Sequence, residues 1–163
     1  MFYLVEYNIT DIVLGLFSGF AVFIINTYIS KKENRIIIFD NSKPSTISKK
    51  PILAIMKVFP DKVGFFMIII FIASIVIFEE LIFRKYLLGY LILTLKFDAV
   101  WVITLVSLFF ALSHFNIKKI IQLFLLGLTF SGLVVYTNNL LPAIIAHFFN
   151  NLIIAFYYKY NTK

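Results

Sequence analysis

The sequence predicts an all-α, polytopic membrane helical bundle of about five to six transmembrane helices. Hydrophobic residues make up 61% of the 163 residues and charged residues 14%, whereas soluble domains average about 45–50% and about 25%. The apolar runs are about 16–21 residues long. That length suits membrane-spanning helices, because a transmembrane strand needs only about 10 alternating residues. The lipid bilayer is therefore the first predicted partner.

Residues 1–62 are predicted to form an N-terminal transmembrane anchor followed by a polar loop. The anchor covers residues 12–29, and acidic residues precede its apolar core, where a signal peptide would carry positive charge. The loop contains the apolar stretch 52–59, which is too short to span a bilayer and includes Lys57. These features predict a short interfacial helix within the loop.

Residues 63–158 are predicted to form the helical core, and residues 159–163 a polar tail. The core contains long apolar runs over residues 63–83, 99–114, 120–137 and 143–158, and a short one over residues 86–95. For the polar ends of the runs 63–83 and 99–114 to meet, the short stretch has to cross back over most of the bilayer. Basic residues lie on both predicted sides, so the positive-inside rule leaves the orientation open.

The charge balance and the absence of cysteine exclude several classes of function. The net charge of +7 fits lysine-rich loops that face anionic lipid. Because the basic residues are scattered, no nucleic acid is expected as a partner. Without cysteine, the chain has no disulfide, thiolate chemistry or Cys-ligated zinc.

Three ionisable residues interrupt the second apolar run. A charge near the centre of a membrane helix costs roughly 2.5–3.5 kcal/mol on insertion scales. Glu80 and Arg84 are four residues apart and can pair along one helix face. Glu79 is rotated by about 100°, which leaves it available for acid–base chemistry. The alternative is an interfacial Glu–Arg pair that caps a helix end.

The two histidines also lie inside apolar runs. His114 ends a helix and follows Phe110 by one turn, while His147 has Asn151 one turn later on the same face and Asn150 beside it. Each polar group needs a partner in a water-poor interior, which predicts that they share one cavity. A carboxylate, an imidazole and hydrogen-bond donors are the ingredients of water-activating hydrolysis.

The polar motifs resemble those of one family. EELIFR, FALSH and HFFNN, at residues 79–84, 110–114 and 147–151, correspond to EExxxR, FxxxH and HxxxN. These are the motifs of the CPBP intramembrane proteases, also called the Abi or CAAX-protease family. The resemblance covers roughly residues 63–158 and implies an intramembrane endopeptidase acting on a peptide or protein substrate tail at the membrane.

The resemblance also implies roles for individual residues. Glu79 and His114 are expected to activate the water, and His147 with Asn151 to hold the oxyanion. The supporting residues are expected to be Glu80, Arg84 and Phe110. The family's bacterial members are linked to bacteriocin immunity and peptide maturation. The abundance of Ile, Phe, Lys and Asn hints at a low-GC bacterium, so we expect a multi-pass protein of the bacterial plasma membrane.

No cofactor is favoured, and zinc is the alternative. Glu79, His114 and His147 could form a three-ligand catalytic zinc site. The sequence has no H-E-x-x-H motif, however, and the histidines are 33 positions apart. A metal-free mechanism needs only the residues already named.

The sequence alone also allows other functions. A non-catalytic membrane protein, such as a bacteriocin-immunity or binding protein, could use the motifs as structure. A proton carrier would string polar residues along the bilayer depth, whereas these cluster near predicted helix ends. A rhomboid-type protease could pair Ser131 with His147, but a rhomboid-like GxSG is missing.

Overall fold

The computed structural model describes residues 8–32 and 62–161, and these residues form five helices. The helices are α1 (Ile9–Lys32), α2 (Lys62–Glu80), α3 (Ala99–Ser113), α4 (Ile120–Thr137) and α5 (Leu141–Asn161). The all-α prediction is confirmed for this part of the chain. The predicted interfacial helix over residues 52–59, and most of the polar loop around it, lie outside the described residues.

The second apolar run does not end near residue 83. Helix α2 continues as a π-helical extension over Leu81–Leu88 and Tyr90–Thr94, and Gly89 joins the two parts in helical conformation, with φ −60° and ψ −43°. The prediction that residues 86–95 form a separate stretch is therefore wrong. The charge of Arg84 suggested a boundary, but this side chain is fully buried and paired inside the protein, so it does not end the helix.

A short turn over residues 95–98 reverses the chain before α3. Lys96 adopts a left-handed conformation in this turn, with φ 59°. Asp98 then caps the N-terminus of α3, since its side-chain oxygen accepts a hydrogen bond from the Val100 amide at 2.9 Å. Because the connection is so short, α3 returns antiparallel along the extension of α2.

The hairpin formed by the extension of α2 and by α3 determines where the first two motifs lie along the length of the bundle. The Phe83 ring meets the Phe110 ring edge-on, with centroids 5.3 Å apart. Glu79 lies four residues before Phe83 and His114 four residues after Phe110, so in antiparallel helices both lie at the same level of the bundle. The chain was expected to travel back across the bilayer through residues 86–95, but α3 runs back instead. Glu79 therefore lies within a long helix rather than at its end.

Helix α1 packs in parallel along α5 at very short range. A Cβ atom placed on Gly15 would lie 2.8 Å from the carbonyl oxygen of Pro142, and one on Gly19 would lie 2.7 Å from that of Ala146. Small residues at such positions let helix backbones approach closely, as is common in membranes. The predicted N-terminal anchor is therefore packed against the helix that carries His147.

A polar contact ties the same two helices at one end. The Asn139 side-chain amide donates to the Asp11 carboxylate at 2.9 Å, and its oxygen accepts from the Leu141 amide at 3.0 Å. Asn138, at the end of α4, has a left-handed conformation with φ 51°, which asparagine tolerates well. This connection fixes where α5 begins.

Within the described residues, three helical segments are long and apolar enough to cross a membrane, and they cover Ile9–Tyr28, Gly64–Thr94 and Ile120–Thr137. The apolar segments Ala99–Ser113 of α3 and Leu141–Phe156 of α5 are shorter. Large apolar side chains cover the outside of the bundle, including Phe17, Trp101 and Phe66. An outer surface of this kind is expected of helices that face lipid, because soluble proteins rarely expose large apolar patches.

Candidate active site

Four ionisable side chains meet where α2 passes into its π-helical extension beside α5. One oxygen of Glu80, Oε1, accepts from Arg84 Nη1 at 2.9 Å and from His147 Nδ1 at 2.7 Å. On the other side of the ring, His147 Nε2 lies 3.6 Å from Glu79 Oε2. The imidazole of His147 therefore lies between the two carboxylates. The Glu80–Arg84 bond is the pairing that their spacing predicts.

The two glutamates differ in their access to the surface. Glu80 and Arg84 have 0% of their side chains exposed, and His147 has 5%. Glu79 has 25% exposed. Buried charges require close partners, because the loss of hydration is otherwise uncompensated. Glu80 therefore has the surroundings of a fixed, paired anion, whereas Glu79 is the carboxylate that a substrate or water can reach.

Aromatic rings enclose the cluster. Phe130 of α4 stacks on His147, with centroids 4.8 Å apart and 23° between the planes. Phe110 of α3 presents an edge to the same imidazole at 5.9 Å. The Arg84 guanidinium lies 4.4 Å from the Phe110 centroid and 5.4 Å from that of Phe130. These cation–π contacts add to the stabilisation of the buried charge.

His114 contacts Phe110, the same ring that meets His147. Its ring packs against Phe110 at 4.8 Å, and its Nδ1 lies 2.7 Å from the Phe110 carbonyl oxygen. It occupies the C-terminal cap of α3 and is partly exposed. The two histidines thus contact one phenylalanine ring. The structure brings Glu79 to His147, and it places His114 at the same level of the bundle.

Two asparagines follow His147 on α5. Asn151 is partly exposed, while Asn150 is buried. The Asn150 side-chain amide donates to Asn151 Oδ1 at 3.4 Å. Because this bond occupies the oxygen of Asn151, the Asn151 NH₂ group is left to donate elsewhere. One turn along the helix separates it from His147, so both side chains lie on the same face.

Zinc is the alternative to a metal-free site, with Glu79, His114 and His147 as its expected ligands. Within the described residues, no group of three or more His, Asp or Glu side chains is placed to hold a metal ion. Nδ1 of His147 is bonded to Glu80 and Nδ1 of His114 to a backbone carbonyl, so Nε2 is the nitrogen of each ring that could bind a metal. A catalytic zinc needs three protein ligands, and Glu79, His114 and His147 do not converge in that way here.

Some site residues could not be found from the sequence. Phe130 lies in a uniformly apolar helix, where nothing distinguishes it from its neighbours. The bond between Glu80 and His147 joins residues 67 positions apart, so no local spacing indicates it. Asn150 is adjacent to the predicted Asn151, but only its burial reveals that it orients the neighbouring amide.

An apolar cavity of about 280 Å³ lies between α1, α2 and α5. Its lining comes from α1, α2 and α5 and includes Leu16, Val76, Ile77 and Phe148. Val76 precedes Glu80 by one helical turn, and Phe148 follows His147 in the chain. The cavity therefore lies within one helical turn of Glu80 along α2 and next to His147 in the sequence of α5, and the residues that line it are apolar.

The comparisons with known proteins point to one family. A family model described as type II CAAX prenyl endopeptidase Rce1-like matches residues 61–153, which is more than half of the chain. The matched region includes the whole cluster and both asparagines, and it leaves α1 outside. The chain matches no curated protein and no solved structure.

Proposed function

This chain belongs to the type II CAAX prenyl endopeptidase Rce1-like family, and we propose that it is an intramembrane endopeptidase. In this proposal, it hydrolyses a peptide bond near the membrane with a water molecule activated by glutamate and histidine. The observation that best supports this proposal is the position of His147 between a buried carboxylate, Glu80, and a partly exposed one, Glu79. No observation favours the alternative of a non-catalytic binding or immunity protein.

Glu79 is the proposed general base. It takes a proton from the water, whose oxygen attacks the carbonyl carbon of the scissile peptide bond. Glu79 then returns the proton to the leaving nitrogen as the C–N bond breaks. His114, at the same level of the bundle, helps to hold the water. A base of this kind has to lie within hydrogen-bond reach of the water, and the exposure of Glu79 supports such access.

His147 and Asn151 are the proposed donors to the oxyanion of the tetrahedral intermediate. The proposal takes His147 in its protonated form, in which Nδ1–H donates to Glu80 and Nε2–H faces the reacting centre. The cations Arg84 and His147 then balance the two glutamates. The Asn151 amide is supported as a second donor, because its oxygen already accepts from Asn150. Fixed donors of this kind are typically the largest electrostatic contribution to acyl transfer.

The family and the long apolar helices make this chain an integral membrane protein. We place it in the bacterial plasma membrane as a multi-pass protein. Its proposed substrate is a peptide or protein tail at the membrane, and the apolar cavity between α1, α2 and α5 supports a segment with apolar side chains near the cut bond. The proposed mechanism is metal-free. The family's description as type II CAAX prenyl endopeptidases adds prenylated CAAX tails as one substrate class to test.

The proposal is tested by comparing peptides and protein C-termini in two cell lines. One line carries the wild-type chain and the other carries Glu79→Gln at matched membrane abundance. We expect a set of uncut precursors to accumulate only with Glu79→Gln, because the carboxamide cannot take the proton from water. Identical peptide sets in the two lines, both with folded protein, would contradict the proposal.

A further inference from the structure

We infer that Glu80 is a positioning residue that acts through His147, in addition to pairing with Arg84. It holds the imidazole with the proton on Nδ1, and it thereby directs Nε2 toward Glu79. The catalytic consequence rests on the proposed function, whereas the position of the proton can be measured without any substrate.

The hydrogen bonds of one oxygen atom, Glu80 Oε1, show which nitrogen of His147 carries a proton. Glu80 Oε1 accepts from the Arg84 guanidinium at 2.9 Å and lies 2.7 Å from His147 Nδ1. A carboxylate paired with a guanidinium is ionised, and an ionised carboxylate only accepts hydrogen bonds. Nδ1 is therefore the donor. A distance of 2.7 Å is typical of a charge-assisted bond.

The surroundings of the imidazole determine which of its nitrogens faces Glu79. Phe130 covers one face of the ring at 4.8 Å, and Phe110 meets it edge-on at 5.9 Å. Glu80 is fully buried, so solvent does not compete for Nδ1. With Nδ1 held in this way, Nε2 is the nitrogen that faces Glu79, at 3.6 Å. A buried carboxylate orients the histidine of Ser-His-Asp enzymes by the same physical means.

A purely structural role for Glu80 predicts something different. If Glu80 served only to neutralise Arg84, then replacing both residues with apolar side chains would remove the need for either. Replacement of a buried ion pair by apolar residues is often neutral or stabilising, whereas removal of one partner is not. The double variant Glu80→Met/Arg84→Met therefore separates the two roles. It takes away the acceptor of Nδ1 without leaving a buried unpaired charge.

The experiment uses ring-¹⁵N histidine in the full chain in detergent micelles. The chain has two histidines, so the variant His114→Gln assigns the His147 signals directly. We expect the wild type to show a protonated, hydrogen-bonded Nδ1. In the double variant, we expect Nδ1 to lose its proton in most molecules, while Nε2 keeps its own. On a substrate found with the Glu79→Gln comparison, turnover should fall between about 10-fold and 10⁴-fold, with a smaller change in KM.

The conservative variant Glu80→Gln provides a second measurement, should the double variant fail to fold. Its amide oxygen still accepts a hydrogen bond but carries no charge, so Nδ1 protonation and turnover should fall between those of the wild type and the double variant. If Nδ1 remains protonated to the wild-type extent in folded Glu80 variants, the inference is wrong. Full turnover in the double variant would also overturn it. If no peptide is cut by any form, the proposed function fails, while the ¹⁵N signals still decide the role of Glu80.

Discussion

Replacing Gly19 with alanine tests whether α1 is part of the bundle that holds His147. A Cβ atom on Gly19 would lie 2.7 Å from the carbonyl oxygen of Ala146 and 3.1 Å from its Cα. Both are backbone atoms of α5, so no side-chain rotation can relieve the contact. Ala146 directly precedes His147, and any displacement of this turn therefore moves the imidazole.

Gly132→Ala in α4 is the matched control. Among the described residues, no atom outside its own helix and chain neighbours lies within 4 Å of a Cβ placed there. Both substitutions gain about 0.5–1 kcal/mol of helix stability, so this contribution cancels when the two are compared. At Gly19 the helices have to separate by about 0.7 Å to restore an ordinary contact of 3.4 Å. Overpacking of this kind typically costs about 1–3 kcal/mol.

The assay is reversible unfolding in detergent micelles, followed by helical circular dichroism. We expect the free energy of unfolding of Gly19→Ala to be about 1–3 kcal/mol below that of Gly132→Ala. Turnover should also be lower for Gly19→Ala, because α5 carries the proposed oxyanion donors. Equal stability and equal activity of the two variants would refute the close packing of α1 on α5.

Other perturbations address the cluster itself. Arg84→Met leaves Glu80 buried without its guanidinium partner, so unfolding measurements should show a loss of about 3–5 kcal/mol; a loss below about 1 kcal/mol would contradict the buried pairing. Asn151→Ala should reduce kcat by about 10²–10³ with little change in KM, whereas Asn150→Ala should reduce kcat less, and the reverse order would exchange their roles. Strong chelators should leave turnover unchanged, and loss of activity that zinc restores would show that the metal-free mechanism is wrong.

The sequence predicted the helices well because membrane helices are defined by long apolar runs. The bounds of α3 and α4 differ from the prediction by at most one residue. Helix α5 begins two residues earlier and ends three residues later than predicted, so it includes residues 159–161 of the predicted polar tail, and α1 extends three residues beyond the predicted span at each end. The error came at Arg84 and Lys85, where charge was interpreted as the end of a span. Charge marks a boundary only when the side chain faces water or headgroups, and Arg84 instead finds Glu80 and two aromatic rings inside the protein.

The candidate site could be predicted only in part from the sequence, because many of its contacts depend on how the helices pack. Spacing along one helix predicts the Glu80–Arg84 pair, because residues four apart share a face. The contacts of His147 with Glu80, Glu79 and Phe130 join three helices, and their formation depends on how those helices pack. The N-terminal helix was expected to be a separate anchor, since nothing in its apolar sequence shows that Gly15 and Gly19 meet α5.

The central claim is that Glu79 activates the water that cuts the peptide bond. The most direct measurement uses purified protein, H₂¹⁸O and a synthetic peptide that accumulates uncut in Glu79→Gln cells. Mass spectrometry of the products then follows the oxygen. We predict that the wild type places one ¹⁸O atom in the new C-terminal carboxyl group, and that folded Glu79→Gln gives no product. Cleavage by Glu79→Gln at the wild-type rate, with the same ¹⁸O label, would contradict the account.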